Sequence, residues 1–202
     1  MNIKFYIGKF IRKFLLIPTL KNCNIDRSSR VGSLCSLSQV TIGAWSYVGD
    51  CTNITYADIG KFTSISSNCS IGGGEHPISW VSTSPIFTNH RCVLRKAFAM
   101  NEFFPYKKIK IGNDVWIGAH VCVKSGVEIS DGAIIGMGSV VTKNIGPYEI
   151  WAGNPAKKIR TRFENEDISF LLNTAWWNWS EEKLRTIGAS FTDIEQFKKV
   201  IK

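Results

Sequence analysis

Aliphatic residues recur along this chain at a fixed spacing of six positions. The C-terminal half carries six of them in unbroken order: Ile111, Ile117, Val123, Ile129, Ile135 and Val141. A period of six fits neither an amphipathic helix, which repeats about every 3.6 residues, nor an alternating strand, which repeats about every two. The spacing predicts short parallel strands joined by corners, with three corners closing a coil of 17 or 18 residues.

The same period appears upstream in three groups that are displaced from one another by 17 residues. These groups are Ile25, Val31 and Leu37, then Ile42, Val48 and Ile54, then Ile59, Ile65 and Ile71. Four residues after most aliphatic positions stands a second, smaller side chain that we expect to face inward: Ser29, Cys35, Ser46, Thr52, Thr63, Cys69, Val115, Val121, Val127, Ala133 and Ser139. The two sets predict one continuous core, in which Cys35 and Cys69 are filling residues and not reactive thiols.

The repeat divides the chain into three parts. Residues 1–24 form an N-terminal helical or capping segment, 25–145 form the β-helix domain of about five coils, and 146–202 form a C-terminal turn and helical extension. A long loop at about 75–108 interrupts the coils. Loops of this length in a compact domain are usually functional.

Two helices are predicted in the C-terminal part. After Asn165, the first helix has one shared face formed by Ile168, Leu171, Leu172 and Ala175. Thr192 and Glu195 have the spacing of a capping box, which predicts the start of a second helix before Phe197, Val200 and Ile201.

Composition and charge narrow the classes of function. The chain has 202 residues, 44% of them hydrophobic, which is enough for one sizeable core. It holds 25 Lys and Arg against 16 Asp and Glu, and the formal charge of +9 favours an anionic partner. Polar residues interrupt every apolar run before the ~18 residues that a membrane span needs. Six irregularly spaced cysteines, without a paired zinc-ligand spacing, indicate free thiols, and we expect a cytoplasmic protein.

Three longer stretches resemble a known enzyme family. They read IGKFTSISSNCSIGGGEHPISWVSTSP, IGNDVWIGAHVCVKSGVEISDGAIIGMGSVVTKNIGPYEIWAGNPAKKIR and FENEDISFLLNTAWWNWS. With the hexapeptide repeat, they resemble the left-handed parallel β-helix acyltransferases. Within these, they look like the xenobiotic acetyltransferase branch, which includes chloramphenicol and streptogramin acetyltransferases and related polysaccharide O-acetyltransferases. The resemblance implies an all-β fold of left-handed coils, a homotrimer, and acetyl-CoA as the acetyl donor.

His76 stands where the coils give way to the long loop, directly after the sequence Gly-Gly-Gly-Glu. Glycines let a second molecule approach the backbone closely, and imidazole is the side chain best suited to take a proton near neutral pH. In the family that the chain resembles, the histidine at this position is the general base that activates an acceptor hydroxyl. The alternative is a solvated loop histidine.

His90 and His120 are expected to have structural or surface roles. Three histidines on a hexapeptide β-helix also suggest the alternative hypothesis of a zinc site, because γ-type carbonic anhydrases of this fold bind zinc through histidines of adjacent subunits. The nearest pair here, His76 and His90, is 14 residues apart, whereas those enzymes place two histidines close together on the coils. We therefore expect no metal site.

The resemblance also implies residues that bind coenzyme A. Its pantetheine arm would pass Trp116, Ala119 and Met137 on the C-terminal coils. Four further residues would lie nearer the nucleotide and its phosphates: Thr142, Lys143, Lys157 and Arg160. Without the preceding Gly-Asn-Pro-Ala turn, the basic stretch would read as an ordinary solvated strand. No nucleic-acid-binding module accompanies these cations.

The N-terminal segment has an apolar helical face with cations beside it. Ile3, Ile7, Phe10, Phe14 and Ile17 form this face, within residues 1–17. It indicates either a helix packed on the first coil or a peripheral contact with a membrane surface.

These observations lead to one functional hypothesis with two alternatives. The hypothesis is an acetyl-CoA-dependent O-acetyltransferase that acts on a hydroxyl of a sugar, a polysaccharide precursor or an antibiotic-like molecule. The first alternative is N-acetylation of an amino sugar nucleotide. The second is a hexapeptide protein that transfers no acetyl group and serves as a scaffold or metal-site protein.

Overall fold

The computed structural model describes residues 6–8, 10–11, 16–89, 94 and 96–201. The chain divides into two compact units, Met1–Arg160 and Thr161–Lys202. The strands are β1 Thr19–Lys21, β2 Asn24–Ile25, β3 Arg30–Val31, β4 Ser36–Ile42, β5 Tyr47–Val48, β6 Asn53–Ile59, β7 Ser64–Ile65, β8 Ser70–Ile71, β9 Ile109–Ile111, β10 Trp116–Ile117, β11 Cys122–Val123, β12 Glu128–Ile129, β13 Ile134–Ile135, β14 Val140–Val141, β15 Glu149–Gly153 and β16 Ala156–Thr161.

The strands of the first unit stack in parallel on three faces, which confirms the predicted β-helix. The first face carries β1, the start of β4 and β6, then β8, β11 and β14. The second face carries β2, the ends of β4 and β6, then β9 and β12. The third face carries β3, β5, β7, β10, β13 and β15, with β16 beside β15. We call the bend between the first and second faces the first corner, and the bend between the third and first faces the third corner.

The pairing register locates the inserted loop. Along the first face, Ser36 pairs with Asn53 and Asn53 with Ser70, in steps of 17 residues. Ser70 then pairs with Cys122, a step of 52 residues, and the next step is 18. The loop therefore adds about 35 residues at the first corner without changing the stacking on either side.

The predicted inward positions form the core. Of the fifteen aliphatic positions, Ile25 and Val31 at the start of the stack are partly buried against the core, and the others are buried. All the predicted small inward positions are buried as well. At Gly118, which follows the aliphatic Ile117, close stacking requires glycine: a Cβ there would lie 2.6 Å from the Met137 nitrogen.

The first corner is one residue shorter in the 17-residue coils than in the later ones. There β4 and β6 run through the bend, with Gln39 and Tyr56 at positive φ. The inward residues at this bend are Val40 and Ala57, which come three positions after the aliphatic residue instead of four. The corner that lost a residue is the corner from which the long loop leaves.

The small polar residues of the core bridge successive coils. The Ser46 hydroxyl accepts from the Thr63 N–H at 2.9 Å and donates to the Gly60 carbonyl at 2.8 Å. The Cys69 thiol donates to the Gly118 carbonyl at 3.2 Å. Burial raises the pKa of the Cys35 and Cys69 thiols, so both stay protonated and unreactive near neutral pH.

The second unit is helical, as predicted. Its α-helices are α1 Asn165–Thr174, α2 Glu181–Ile187 and α3 Ile194–Ile201. Aromatic rings form its interior: the Phe191 ring lies 5.0 Å from that of Trp176 and 4.9 Å from that of Phe197. The capping box predicted from Thr192 and Glu195 is wrong. Asp193 caps α3 instead, because its carboxylate accepts from the Gln196 N–H at 2.9 Å.

The apolar N-terminal face is described only in part. Ile7, Phe10 and Ile17 are exposed, whereas Ile3 and Phe14 lie outside the described residues. Among the helices that the structure describes, none combines the length and apolar character needed to cross a bilayer.

Candidate active site

The loop that carries His76 leaves the stack through Gly72, directly after β8. The Gly72 N–H still donates to the Val123 carbonyl at 2.9 Å, as in a regular coil. Its φ of +81° lies in the left-handed region, and a Cβ there would lie 2.4 Å from the Thr55 carbonyl oxygen. Only glycine fits this exit point without displacing the coil below.

The His76 side chain is exposed and its ring orientation is set by one hydrogen bond. Its Nδ1 lies 2.8 Å from the Thr83 carbonyl oxygen. A carbonyl oxygen can only accept a hydrogen bond, so Nδ1 carries the proton. In the neutral ring, Nε2 then carries the lone pair. This is the tautomer that a general base needs.

The described part of the loop beyond His76 contains internal hydrogen bonds. Ser84 caps a 3₁₀ turn at Pro85–Phe87 and accepts from the Ile86 N–H at 3.4 Å. Asn89 donates to the Asn101 carbonyl at 2.7 Å, which joins the two arms of the loop. The Trp80 ring packs edge-on against Phe103 at 5.8 Å. These contacts connect the described residues on both arms of the loop that carries His76.

Sequence reasoning missed the residues at the base of the loop. The Glu75 carboxylate lies 2.8 Å from the Lys107 ammonium and 3.9 Å from that of Lys124, and the Glu75 N–H donates to the Pro105 carbonyl at 2.7 Å. Glu75 stands beside His76 in the sequence, but its partner Lys107 is 32 positions away. No spacing rule could pair them.

Three of the predicted coenzyme-binding residues lie near the third corner. Ala119 and Met137 occupy this corner on successive coils, where the Ala119 carbonyl accepts from the Gly138 N–H at 2.8 Å. Trp116 precedes them on the third face and is half exposed. Met137 is 78% exposed, so its side chain extends beyond the coil surface.

The other predicted residues lie elsewhere on the chain. Thr142 and Lys143 follow β14 at the first corner, two coils or about 10 Å beyond the exit point of the loop. Lys157 and Arg160 are exposed on β16, after the turn at 153–156. Because successive side chains of a strand point to opposite sides, the side chains of Lys157 and Arg160 leave β16 on opposite sides. One chain therefore does not gather all the predicted residues at one point.

The other two histidines do not form a metal-binding cluster among the residues that the structure describes. His120 is exposed at the third corner with φ of +59°, and its N–H donates to the Ser67 carbonyl at 3.1 Å. His90 lies outside the described residues. Within the part of the chain that the structure describes, no three His, Cys, Asp or Glu residues are placed to hold a metal ion.

An open groove of about 410 Å³ follows the second face. Charged side chains line it, including Asp58, Lys110 and Glu128. Lys110 pairs with Glu128 at 3.9 Å, and Asp58 pairs with Lys108 at 2.6 Å. None of the predicted site residues lines this groove, so it is separate from the His76 corner.

Comparison with known proteins identifies related sequences. The family described as bacterial transferase hexapeptide (six repeats) matches residues 108–143. A chloramphenicol acetyltransferase from Klebsiella aerogenes is 39% identical over 168 residues, which cover 72% of this chain and 79% of that protein. A probable macrolide acetyltransferase from Lysinibacillus sphaericus is 44% identical over 129 residues, which cover 62% of this chain and 71% of that protein.

A solved structure shares the fold. A variant of AntD, an N-acyltransferase from Bacillus cereus, was crystallised with dTDP-4-amino-4,6-dideoxyglucose and coenzyme A. It matches with a TM-score of 0.54 over 85% of this chain and 97% of that chain, at 21% identity. A likeness at this identity supports the fold alone.

Proposed function

The chain belongs to the hexapeptide-repeat acetyltransferases that include the chloramphenicol acetyltransferases, and from this premise we propose that it transfers the acetyl group of acetyl-CoA to a hydroxyl. The acceptor is a sugar, a polysaccharide precursor or an antibiotic-like molecule. The observation that carries the proposal is the 2.8 Å contact between His76 Nδ1 and the Thr83 carbonyl. It leaves Nε2 of an exposed imidazole as the proton acceptor.

His76 acts as a general base in this proposal. Nε2 takes the proton of the acceptor hydroxyl while the hydroxyl oxygen attacks the thioester carbonyl carbon. The new C–O bond forms and the C–S bond breaks, so the acceptor leaves as its acetyl ester. The imidazolium returns its proton to the departing sulfur, which yields free coenzyme A thiol. General-base catalysis of this kind contributes about 10²- to 10⁴-fold in rate.

The positions of the coenzyme-binding candidates support a site that is shared between chains. His76 leaves from the first corner, whereas Ala119 and Met137 lie at the third corner. The first face separates these corners by about four residues, or ~13 Å of extended chain. We propose a homotrimer in which His76 of one chain meets the third corner of a neighbour. Lys157 and Arg160 bind the coenzyme phosphates.

The function is tested by acceptor-dependent release of coenzyme A thiol. Chloramphenicol, a macrolide, maltose and an amino sugar nucleotide serve as acceptors, and the product bond is identified by mass spectrometry and NMR. An ester product is expected. His76→Ala should lose about 10²- to 10⁴-fold in rate, while acetyl-CoA binding stays unchanged. His120→Asn is the matched control, because asparagine tolerates the positive φ at this exposed position.

Two results would favour one of the alternative functions over O-acetylation. An amide product with the amino sugar nucleotide and no ester from any hydroxyl acceptor would favour N-acetylation. Stoichiometric zinc in the purified protein, with no thiol release, would favour a metal-site protein.

A further inference from the structure

The base of the loop is fastened at a point one residue before His76. Two arms meet there: an outgoing arm through Gly74 and Glu75, and a returning arm through Pro105 and Lys107. The Glu75 N–H donates to the Pro105 carbonyl at 2.7 Å, and the Glu75 carboxylate pairs with the Lys107 ammonium at 2.8 Å. Backbone and side chain of one residue thus join both arms.

The returning arm is itself anchored to the coil above it. The Lys107 N–H donates to the Ser125 hydroxyl at 3.0 Å, and the same hydroxyl donates to the Lys107 carbonyl at 2.9 Å. The Gly126 N–H also donates to the Lys107 carbonyl, at 3.2 Å. Lys107 is therefore a fixed point of the β-helix, and Glu75 ties the His76 arm to it.

The Glu75 carboxylate is less exposed than the two lysines with which it pairs. Its side chain is 24% exposed, compared with 63% for Lys107 and 58% for Lys124. Among the described residues, no donor lies within hydrogen-bonding distance of its buried Oε1 atom. The Oε1 atom lies 3.9 Å from the Lys124 ammonium, so the 2.8 Å contact with Lys107 is the closer of the two ion pairs. The carboxylate therefore ties the residue before His76 to the returning arm.

The His76 ring depends on such a restraint. The ring is exposed, so water competes for its single hydrogen bond to the Thr83 carbonyl, seven residues along the same arm. If the arm moves freely at its origin, that bond is populated less and the ring loses its fixed tautomer. A displacement of about 1 Å at a catalytic group can cost up to 10²-fold in rate.

We propose that Glu75 is a positioning residue, which holds the His76 arm to the β-helix through Lys107 and so keeps the imidazole in its Nδ1–H form. This inference rests on the proposed base role of His76. It adds to that role a residue that contacts neither the acceptor nor acetyl-CoA. The Glu75–Lys107 ion pair provides this restraint on the His76 arm.

The first test needs no acceptor. The chain has three histidines, so long-range ¹H–¹⁵N spectra resolve each ring, and a His76→Gln variant assigns the His76 signals. The wild-type ring is expected to be in the Nδ1–H form when neutral. Glu75→Gln should lower the ratio of Nδ1–H to Nε2–H form by about fivefold, which corresponds to the typical net value of one hydrogen bond. Glu102→Gln, in the same loop and exposed, is the matched control.

The second test measures turnover of chloramphenicol, or of the hydroxyl acceptor that the screen identifies. Glu75→Gln should lower kcat about tenfold and leave the KM for acetyl-CoA unchanged. Lys107→Met should do the same. Lys107→Arg, which keeps a cation opposite Glu75, should retain most of kcat and of the tautomer ratio. Urea unfolding of each variant gives the folded fraction by which kcat is corrected.

The outcomes distinguish the positioning role of Glu75 from the base role of His76. A Glu75→Gln protein with the wild-type tautomer ratio and kcat, in a setting where His76→Ala is inactive, refutes the positioning role alone. Turnover retained by His76→Ala refutes the base role and the positioning role together. A loss of kcat that disappears after correction for folded fraction shows that Glu75 acts only on stability, which also refutes the proposal.

Discussion

The hydroxyl of Thr63 accepts a hydrogen bond from the N–H of Val115 at 3.3 Å, although 52 residues separate them in the chain. The same hydroxyl donates to the Gly112 carbonyl at 2.8 Å. Thr63 belongs to the coil before the loop, whereas Gly112 and Val115 belong to the coil after it. One buried side chain therefore joins the β-helix across its insertion.

Thr63→Val should destabilise the protein. Valine keeps the shape of the side chain, but it leaves the Val115 N–H and the Gly112 carbonyl buried without partners, at a cost of about 1–3 kcal/mol each. Urea unfolding should show this loss. Thr41→Val, at an exposed strand position, is the control and should be nearly neutral. Equal stability of both variants would mean that the bridge contributes nothing net.

Gly118→Ala should also destabilise the first unit. The added Cβ would lie 2.6 Å from the Met137 nitrogen and 2.9 Å from its Cα, so two coils must separate. Overpacking of this kind costs about 1–3 kcal/mol. At Gly188 a Cβ meets nothing within 4 Å and the backbone is right-handed helical, so Gly188→Ala should be neutral or slightly stabilising. Thermal unfolding that ranks the two variants in the opposite order would contradict the stacking argument.

Glu149 should make stability depend on pH in the acid range. Burial alone would raise the pKa of Glu149, but hydrogen bonds from Lys158, the Trp151 indole and the Gly146 N–H lower it below its ordinary value of 4.5. A lowered folded pKa means that the stabilisation is present above pH 4.5 and is lost as pH falls through the folded value. Glu149→Gln should therefore cost about 1–3 kcal/mol at neutral pH and little near pH 2.

The control for this prediction is an exposed ion pair. Glu128 pairs with Lys110 at 3.9 Å, and both side chains are more than half exposed. Such pairs contribute about 0–1 kcal/mol, so Glu128→Gln should change stability little at any pH. Denaturant midpoints between pH 2 and pH 7, measured on both variants, check the difference. A Glu149→Gln deficit that persists undiminished at low pH would contradict the assigned sign.

Lys157 and Arg160 should govern the affinity for acetyl-CoA. Replacement of both by alanine removes two cations from the proposed phosphate site, which should raise the KM for acetyl-CoA and weaken its dependence on salt. The KM for the acceptor should stay the same. Lys21→Ala with Arg30→Ala removes the same charge from exposed positions on the first coils and is the control. Equal affinities of the wild type for coenzyme A and dephospho-coenzyme A would argue against a contact with the 3′-phosphate.

Shared active sites should allow complementation. His76→Ala chains and chains lacking both Lys157 and Arg160 are each inactive or weak alone, and their co-assembly should regenerate some intact sites. This holds if the two defects fall on different chains of one site. Subunit exchange followed by turnover measurements tests it, with His76→Ala mixed with itself as the control. Light scattering that finds an active monomer at assay concentration would rule out the shared site.

The sequence predicted the core well because every coil places inward-facing residues at the same spacing. It failed where a corner departs from the repeat: Val40 and Ala57 were missed, since the bend before them lacks one residue. It also treated Cys69 as a filling residue and predicted Ser46 and Thr63 only to face inward, whereas the polar atoms of all three bridge coils. A spacing pattern reports which side chains face inward, and it carries no information on what their polar atoms bond.

The candidate site was predictable only in part, for a related reason. His76 stands in a motif, so resemblance could find it. Its partner, the Thr83 carbonyl, is a backbone atom whose position depends on the fold of the loop. Glu75 and Lys107 are brought together by the closing of that loop, and no local rule couples residues over such a distance.

The 52-residue step at the loop has a consequence for how such an enzyme changes its substrates. Stacking of the flanking coils is complete on both sides of the insertion, with Gly72 bonded to Val123 and Ala57 paired with Ile109. Doubling the length of a loop costs only about 0.6 kcal/mol in closure entropy. The stretch between Thr83 and Pro105 can therefore be exchanged, lengthened or redesigned without unstacking the coils, whereas His76, Glu75 and Lys107 lie outside that stretch and stay in place.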